Sequence, residues 1–429
     1  MDTHSFPAWP LRSLASLLLA LPATIGLAIA QHADAPTPAN YVVHEWGTFT
    51  SMIGSDGIVL EGMQHEEEQL PRFVHDLLTI EETGVTDTKL PASYVTQKME
   101  TPVIYFHADA PMQARVTVSF QQGLMTQFYP LPTTVLPRLE LAREQLVDMR
   151  QHDWSSLCWD IDIVPRTMAA PDGIPGVAAD EPWNFARQTS ACYVRTRPPA
   201  DSPARAEAEH YLFYRGLGRW QPDVAAQAVR GGKVRFANRE ADPIPFCLAL
   251  ELGAQGGRFV LGQPIAGGAE QAFDLAATAW MPDREQFARR VGAETMRTLV
   301  QQGLYVDEAR AMVATWSRSW FQKDGARIVY LLPRSVVDTV LPLQLEPQPK
   351  SLVRVLVGRH EYITPEAQDR VEQALRDRSS TDQAIQARGE TVLAGLDRFR
   401  EPHLRNIVRN GSSADVRQAA EAMLAPKAR

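Results

Sequence analysis

The chain has 429 residues, 45% of them hydrophobic and 22% charged, and a net charge of −8 at pH 7. That length allows two domains or one large one, and that balance belongs to a folded protein, not a disordered chain. An acidic chain with only a mild basic excess over residues 350–429 lacks the footprint of a nucleic-acid binder, and the arginines there alternate with Glu and Asp as on solvated helix faces.

Residues 1–30 read as a secretory signal peptide. Arg12 is the positive start, Leu14 to Ala30 is an apolar run broken by Pro22 and Gly26, and Ala28-Ile29-Ala30 is a cleavage site before Gln31. An uncleaved anchor is the alternative, opposed by the short run and by Pro22. The expectation is an extracytoplasmic protein, periplasmic or secreted, cleaved near Ala30/Gln31, with no transmembrane span in the mature chain and no nucleic-acid partner. Residues 31–40, with "DAPTPAN", form a Pro-rich lead-in.

Residues 41–270 are β-rich. "YVVHEWGTFTSM" is a strand by its Val, Trp, Phe and Thr content, "GSDG" is a turn, and "IVL" is expected to return as the paired strand. Alternation places His44, Trp46, Thr48 and Thr50 on one face, and Val43, Glu45, Gly47 and Phe49 on the other. "ARVTVSF" and "CWDIDI" alternate in the same way, with Val116, Val118, Phe120, Trp159, Ile161 and Ile163 inward. Leu136 to Asp153 reads as helical, and Pro165 to Trp183 as a long loop.

A helical hairpin is expected over 271–325. Asp283 to Gln302 forms its first helix, closed by Gly303, and Asp307 caps the second, whose stripe is Ala309, Met312, Val313, Trp316 and Trp320. Residues 326–364 carry strands, and 365–429 carry helices that begin at Thr364-Pro365-Glu366. The fold class is therefore α+β, an antiparallel β-sandwich-like N-terminal part followed by a mostly helical C-terminal part with a few strands.

In an oxidising compartment three cysteines allow one bridge. Cys158 and Cys192 flank a Pro/Gly/Ala-rich loop that a disulfide would tie down, while Cys247 sits in the apolar run "PIPFCLALEL". Three reduced, buried cysteines are the alternative.

Taken in order, "VHEWGTFTS…GSDG", "METPVIYF", "FYRGLG", "WSRSWF" and "LVRVLVGRHEYITPE" resemble a family of uncharacterised secreted bacterial proteins with a VHEWGTFT signature near the mature N-terminus. The resemblance covers most of the mature chain. It implies a compartment and no mechanism.

H-E-x-x-H, G-x-S-x-G, the Walker loop, G-x-G-x-x-G and C-x-x-C are all absent. Two readings remain. The first makes this a ligand- or envelope-binding accessory protein for a small-molecule, glycan or envelope partner, with His44, Glu45, Trp46 and Glu100 as the candidate pocket. The second makes it a metal-assisted hydrolase of an envelope or extracellular substrate. For that reading His44, His65, His75 and His107 lie among Glu66, Glu67, Glu68, Asp76 and Glu100, and His44, His75 and His107 are the candidate Zn²⁺ ligands. Convergence of these histidines with a carboxylate would favour the hydrolase, and dispersal would favour binding. "HEEEQ" taken alone is most simply a solvated acidic loop.

Overall fold

Nine strands make the central sheet of the computed structural model, which describes residues 40–67, 69–80, 88–142 and 145–425. In chain order they are β1 Val42–Ile53, β2 His75–Asp76, β3 Gln97–His107, β4 Gly123–Tyr129, β5 Leu212–Gly218, β6 Cys247–Gly253, β7 Gly256–Leu261, β8 Gly325–Leu331 and β9 Ser351–Tyr362. Their spatial order is β7-β6-β8-β9-β1-β3-β5-β4-β2. β1 and β9 pair in parallel, and every other neighbouring pair is antiparallel. The signal-peptide expectation and all of the lead-in except Asn40 fall outside the described residues.

A second sheet lies over one face. Its strands run Ala208–Glu209, Tyr193–Thr196, Trp154–Val164, Met112–Gln121 and Leu343–Glu346, with Thr134–Leu136 paired to Trp154–Val164. Val116, Val118, Phe120, Trp159, Ile161 and Ile163 alternate into the shared core, where they meet Val43, Phe49, Ile104, Phe106 and Tyr214 of the central sheet. The other face is covered by helices α1 Pro182–Ala186, α2 Arg284–Gln301 and α3 Val306–Phe321, which bury Trp46, Val103, Tyr105 and Phe213 beneath them. β1 is thus covered on both sides, and eleven of its twelve residues are buried. A strand in that position has no solvent face to show as polar alternation.

The fold is α+β, with the large sheets drawn mainly from the N-terminal part and most helices from the C-terminal part. The helix starts follow their chemistry. Asp283 accepts the Gln286 amide at 3.0 Å to begin α2, and Gly303 follows it with φ 104°. After α4 Arg334–Val340, Thr364 caps α5 Pro365–Arg378 through the Ala367 amide at 3.0 Å. α6 Gln383–Ala394, α7 Arg400–Asn410 and α8 Ala414–Leu424 complete a small helical core around Leu375, Leu393, Leu404 and Ile407. Among the described residues no helix is long and apolar enough to cross a membrane.

Four local expectations are corrected. Leu136 to Asp153 is not a helix. Its described residues contain only the strand Val147–Asp148 and a 3-10 turn Met149–Gln151 beyond Leu136, because Leu139 and Leu141 pack at extended spacing against a satellite core. "IVL" does not return as a hairpin strand, since β1 already has β9 and β3 as neighbours and leaves Val59 a single bridge to Ile53. Asp307 is not the cap of α3. Tyr305 holds that position, and Asp307 instead accepts the Ser190 amide at 2.7 Å. Cys158 and Cys192 are not bridged, and both are free along with Cys247. Cys158 sits between the inward-facing Leu157 and Trp159, whereas Cys192 is buried in the inter-sheet core, its thiol directed at the Ala108 carbonyl.

Candidate functional site

The site begins with one irregular residue. Along β1 the step from Trp46 to Thr48 spans two residues, but the partners on β3, Val103 and Glu100, are three apart. The extra residue is a bulge in β3 at Thr101, whose φ is 48°. A β-branched side chain is rarely found in that left-handed region. The consequence is a change of phase. Ile104 and Phe106 face the second sheet, and without the bulge Lys98 and Glu100 would face it too. With it, Met99 takes the apolar side, while Lys98 and Glu100 turn to the helix-covered face alongside Tyr105 and His107. Gly47 of β1 lies opposite. A Cβ there would come within 2.8 Å of the Pro102 backbone, so only glycine fits beside the bulge.

On that face Glu100 meets a buried group of charges. The Arg398 guanidinium, from the turn Asp397–Phe399 before α7, bridges two carboxylates. Its Nη1 donates to Glu100 Oε1 at 2.5 Å, and its Nη2 lies 2.6 Å from Glu67 Oε2. Glu67 also faces Arg359 at 3.0 Å and Lys323 at 3.1 Å, and accepts the Ser319 hydroxyl at 2.6 Å. Arg359 and Arg327 share Glu361, at 2.7 and 2.8 Å. Arg215 and Lys98 share Glu66, at 2.8 and 2.6 Å. "HEEEQ" is therefore no solvated loop, since the Glu67 side chain is only 3% exposed. Its neighbour Glu68 lies outside the described residues.

Among the described residues five buried cations of the group (Lys98, Arg215, Arg327, Arg359, Arg398) face three buried carboxylates (Glu67, Glu100, Glu361), with the partly exposed Lys323, Lys89, Glu66 and Asp397 at its edge. Burial raises the Glu67 and Glu100 carboxyls, but Arg359 and Arg398 beside Glu67, and Arg398, Lys98 and Arg215 around Glu100, more than offset it and hold both below the usual glutamate range. Burial pushes the Lys98 ammonium down to about 8, against the pull of Glu66.

These charges border a cavity of about 100 Å³. Glu67, Glu100, Thr101 and Arg215 form its polar side, and Trp183, Tyr211, Phe213, Trp316 and Leu70 its apolar side. Trp183 stands edge-on to Phe73 at 5.2 Å and tilted on Phe213 at 4.8 Å, so its position is fixed by aromatic packing. Two N–H donors of the lining, Arg215 Nε and Trp316 Nε1, are buried with no hydrogen-bond partner among the described residues. Arg398 Nε and Arg359 Nη2 behind them are in the same state.

A second cluster lies further along the same face. His44 of β1 and His107 of β3 converge on Glu308 in the first turn of α3. His44 Nδ1 lies 2.7 Å from one carboxylate oxygen, and His107 Nε2 lies 2.8 Å from the other. Tyr305 donates its amide to Glu308 Oε2 at 2.9 Å, and its ring packs on both imidazoles with centroids 4.5 and 4.8 Å away. Burial raises the Glu308 carboxyl, and the hydrogen bonds from His107 and His44 more than offset this. Glu308 precedes Thr315 of the cavity wall by seven residues, about 10 Å along a helix axis.

The sequence candidates are therefore distributed. Glu100 lines the cavity. Trp46 is core beneath α3. Glu45 points to the opposite face of β1, where it accepts from Arg354 at 2.5 Å and from the Tyr214 hydroxyl. His44 and His107 come together, but His75 does not join them, because it sits on the edge strand β2 and pairs with Glu207 at 3.0 Å. His65 contacts Glu401 at 3.2 Å at the surface. Sequence reasoning missed Arg215, Arg359, Arg398 and Glu308. A signal existed for three of them. Arg215 and Arg359 stand inside apolar strands, and Glu308 lies four residues before Met312 on the buried stripe of α3.

No family model and no curated protein matches the sequence. Among solved structures, the chain is similar to the yeast delta-COP-I mu-homology domain complexed with a Dsl1 WxWxV peptide, at 7% identity and a TM-score of 0.27, covering 77% of this chain and 100% of that one. A likeness at that score carries no argument about fold or function.

Proposed function

We propose that this is an extracytoplasmic binding protein for a small organic anion with a flat or apolar body, held in the cavity beside Thr101. The observation that carries the reading is a cavity lined by Arg215 and Trp316, each of which keeps a buried N–H donor (Nε and Nε1) without a partner among the described residues, backed by more buried cations than carboxylates. A buried donor without an acceptor costs roughly 1–3 kcal/mol, and a ligand that supplies acceptors removes that penalty. The guanidiniums set the sign of the ligand, and Trp183, Trp316 and Phe213 offer it flat apolar surface. The secretory leader and the likeness to secreted VHEWGTFT proteins support the compartment.

Binding fits the cavity better than acid–base chemistry does. A general acid or base works best with a pKa near the working pH, and Glu67 and Glu100 are held ionised well below it. The histidine cluster lies too far along α3 to act on a ligand in the cavity.

Calorimetric titration of the purified chain with glucuronate, benzoate and inorganic phosphate tests the reading. An organic anion is expected to bind and to raise the melting temperature. Trp316→Phe, which keeps the ring and deletes the N–H, and Arg215→Lys, which keeps the charge and deletes the fork, are each expected to weaken binding at least tenfold. Binding indifferent to both substitutions places the ligand elsewhere and refutes the proposal.

A further inference from the structure

The Glu308 carboxylate is fully buried, and its only charged or chargeable partners among the described residues are two histidines. Imidazoles supply hydrogen bonds but no permanent counter-charge, and burying a carboxylate without one is costly. The N-terminal turn of α3 offsets only part of this through its partial positive charge. The three side chains come from segments far apart in sequence, on two strands and a helix. Each turns one donor atom toward the other two, and all three atoms lie within 4.8 Å of one another. Two imidazoles and a carboxylate are a ligand set suited to Zn²⁺, and a tetrahedral shell would keep one position for a further ligand. Tetrahedral bonds of about 2.0–2.1 Å set ligand atoms about 3.3 Å apart, so an entering ion replaces the two hydrogen bonds of 2.7 and 2.8 Å, which open slightly, and draws in separations that reach no more than 4.8 Å. The Glu308 carboxylate is already oriented by the Tyr305 amide, the kind of outer contact that fixes a metal ligand. Access exists on one side only. The His107 side chain is 14% exposed, and Tyr305, which lies over both imidazoles, is 43% exposed.

We propose that His44 Nδ1, His107 Nε2 and the Glu308 carboxylate bind a divalent transition-metal ion of the Zn²⁺ type, which ties the first turn of α3 to β1 and β3. The site is separate from the anion cavity, and its role is to hold the helix that forms one cavity wall. His75 takes no part in it.

The full mature chain, stripped with a chelator, is titrated with Zn²⁺ by calorimetry, and Co²⁺ is added in parallel for its visible absorption. One equivalent is expected to bind, with a visible cobalt band and a melting temperature that rises with metal concentration. Glu308→Gln and His107→Gln are each expected to weaken Zn²⁺ binding at least 100-fold, and His75→Gln to leave it unchanged. Should Glu308→Gln fail to fold by circular dichroism, His107→Gln carries the test, because His107 is partly exposed and its removal leaves the helix contacts in place. No stoichiometric uptake by the wild-type chain would show a plain imidazole–carboxylate hydrogen-bond network and overturn the proposal. Uptake that survives His107→Gln overturns it as well, whatever the outcome of the anion titrations.

Discussion

The two faces of the central sheet treat buried charge in opposite ways. Toward the second sheet there is one compact arrangement. Glu45 is neutralised by Arg354, which also reaches Asp338 of α4 at 2.8 Å, and the Tyr214 hydroxyl takes the other Glu45 oxygen. Both Glu45 oxygens are used, one N–H group, Arg354 Nη2, lacks an acceptor among the described residues, and nothing around the pair opens into a cavity described above. Toward the helices the charges are more numerous, cations exceed carboxylates, and several guanidinium N–H groups have no acceptor among the described residues. A buried pair whose charges balance specifies how two layers dock. A surplus of one sign beside a cavity is instead poised for something from outside. The contrast between the faces, more than any single residue, locates the site.

The sharpest way to break this contrast is to put a charge on the wrong face with Met99→Lys. The bulge at Thr101 turns Met99 into the apolar interface between the sheets, where it is fully buried. An unpaired charge in such a core costs several kcal/mol, a large share of the stability of an ordinary domain. Met99→Lys is therefore expected to abolish cooperative unfolding in denaturant melts. A variant that melts within a few degrees of the wild type would show that the bulge does not decide which side chains enter the core.

The bulge at Thr101 also explains what could be read from the sequence. The class of the fold, the start of α2, the Trp316 and Trp320 stripe and the Thr364 start of α5 were legible, because each depends on local periodicity or capping. The opposition of His44 and Glu45 across β1 was legible too, since strand alternation holds there. The parallel pairing of β1 with β9 was not, because the partners lie about three hundred residues apart and nothing local encodes it. The phase of β3 was not either. Nothing in "KMETPVIY" announces that Thr101 is the extra residue, so Glu100 could be named but not given a face. Glu67 looked solvated because its partners, Arg359 and Arg398, arrive from the far end of the chain.

Acid separates the two faces by the pH at which each weakens. On the side of the second sheet, burial pushes the His360 imidazole down to about 3, where it sits neutral beside the Ser51 hydroxyl and 3.4 Å from the Tyr330 hydroxyl. Its folded value lies below the ordinary ~6.5, so below that pH the unfolded chain binds the extra proton. The stability from neutral His360 is present above about 6.5 and is lost as pH falls toward 3, at about 1.4 kcal/mol per pH unit. His403 and His210, each pushed down to about 4 chiefly by burial, act in the same sense elsewhere. On the helix-covered face Glu67 and Glu100 are also depressed, but their contribution persists until pH falls below the ordinary glutamate value of about 4.3. Between pH 6.5 and 4.5 the loss is thus a histidine effect. Urea melts at pH 5, 6 and 7 are expected to show His360→Gln with a shallower pH dependence, by about one proton's worth. An unchanged slope would mean that His360 is not buried as the neutral form.

The smallest expected effect comes from the smallest change at the bulge, Thr101→Gly. A β-branched residue held at φ 48° stores strain on the order of 1–3 kcal/mol. Glycine takes that conformation without a Cβ clash, but it loses about 0.5–1 kcal/mol of backbone entropy on folding. The substitution also removes the hydroxyl that accepts Arg215 Nη2 at 3.3 Å, a bond whose net worth is about 1 kcal/mol. These opposing terms leave stability between about 1 kcal/mol below and about 1.5 kcal/mol above the wild type. Binding should move the other way. Arg215 loses its anchor on the cavity wall, so affinity for an organic anion falls while the fold is retained. A variant less stable by more than about 2 kcal/mol would show that Thr101 is not strained. One that binds as tightly as the wild type would show that its hydroxyl does not position Arg215. Met99→Lys and Thr101→Gly therefore test two properties of one bulge, the phase it imposes on β3 and the side chain it presents to the cavity.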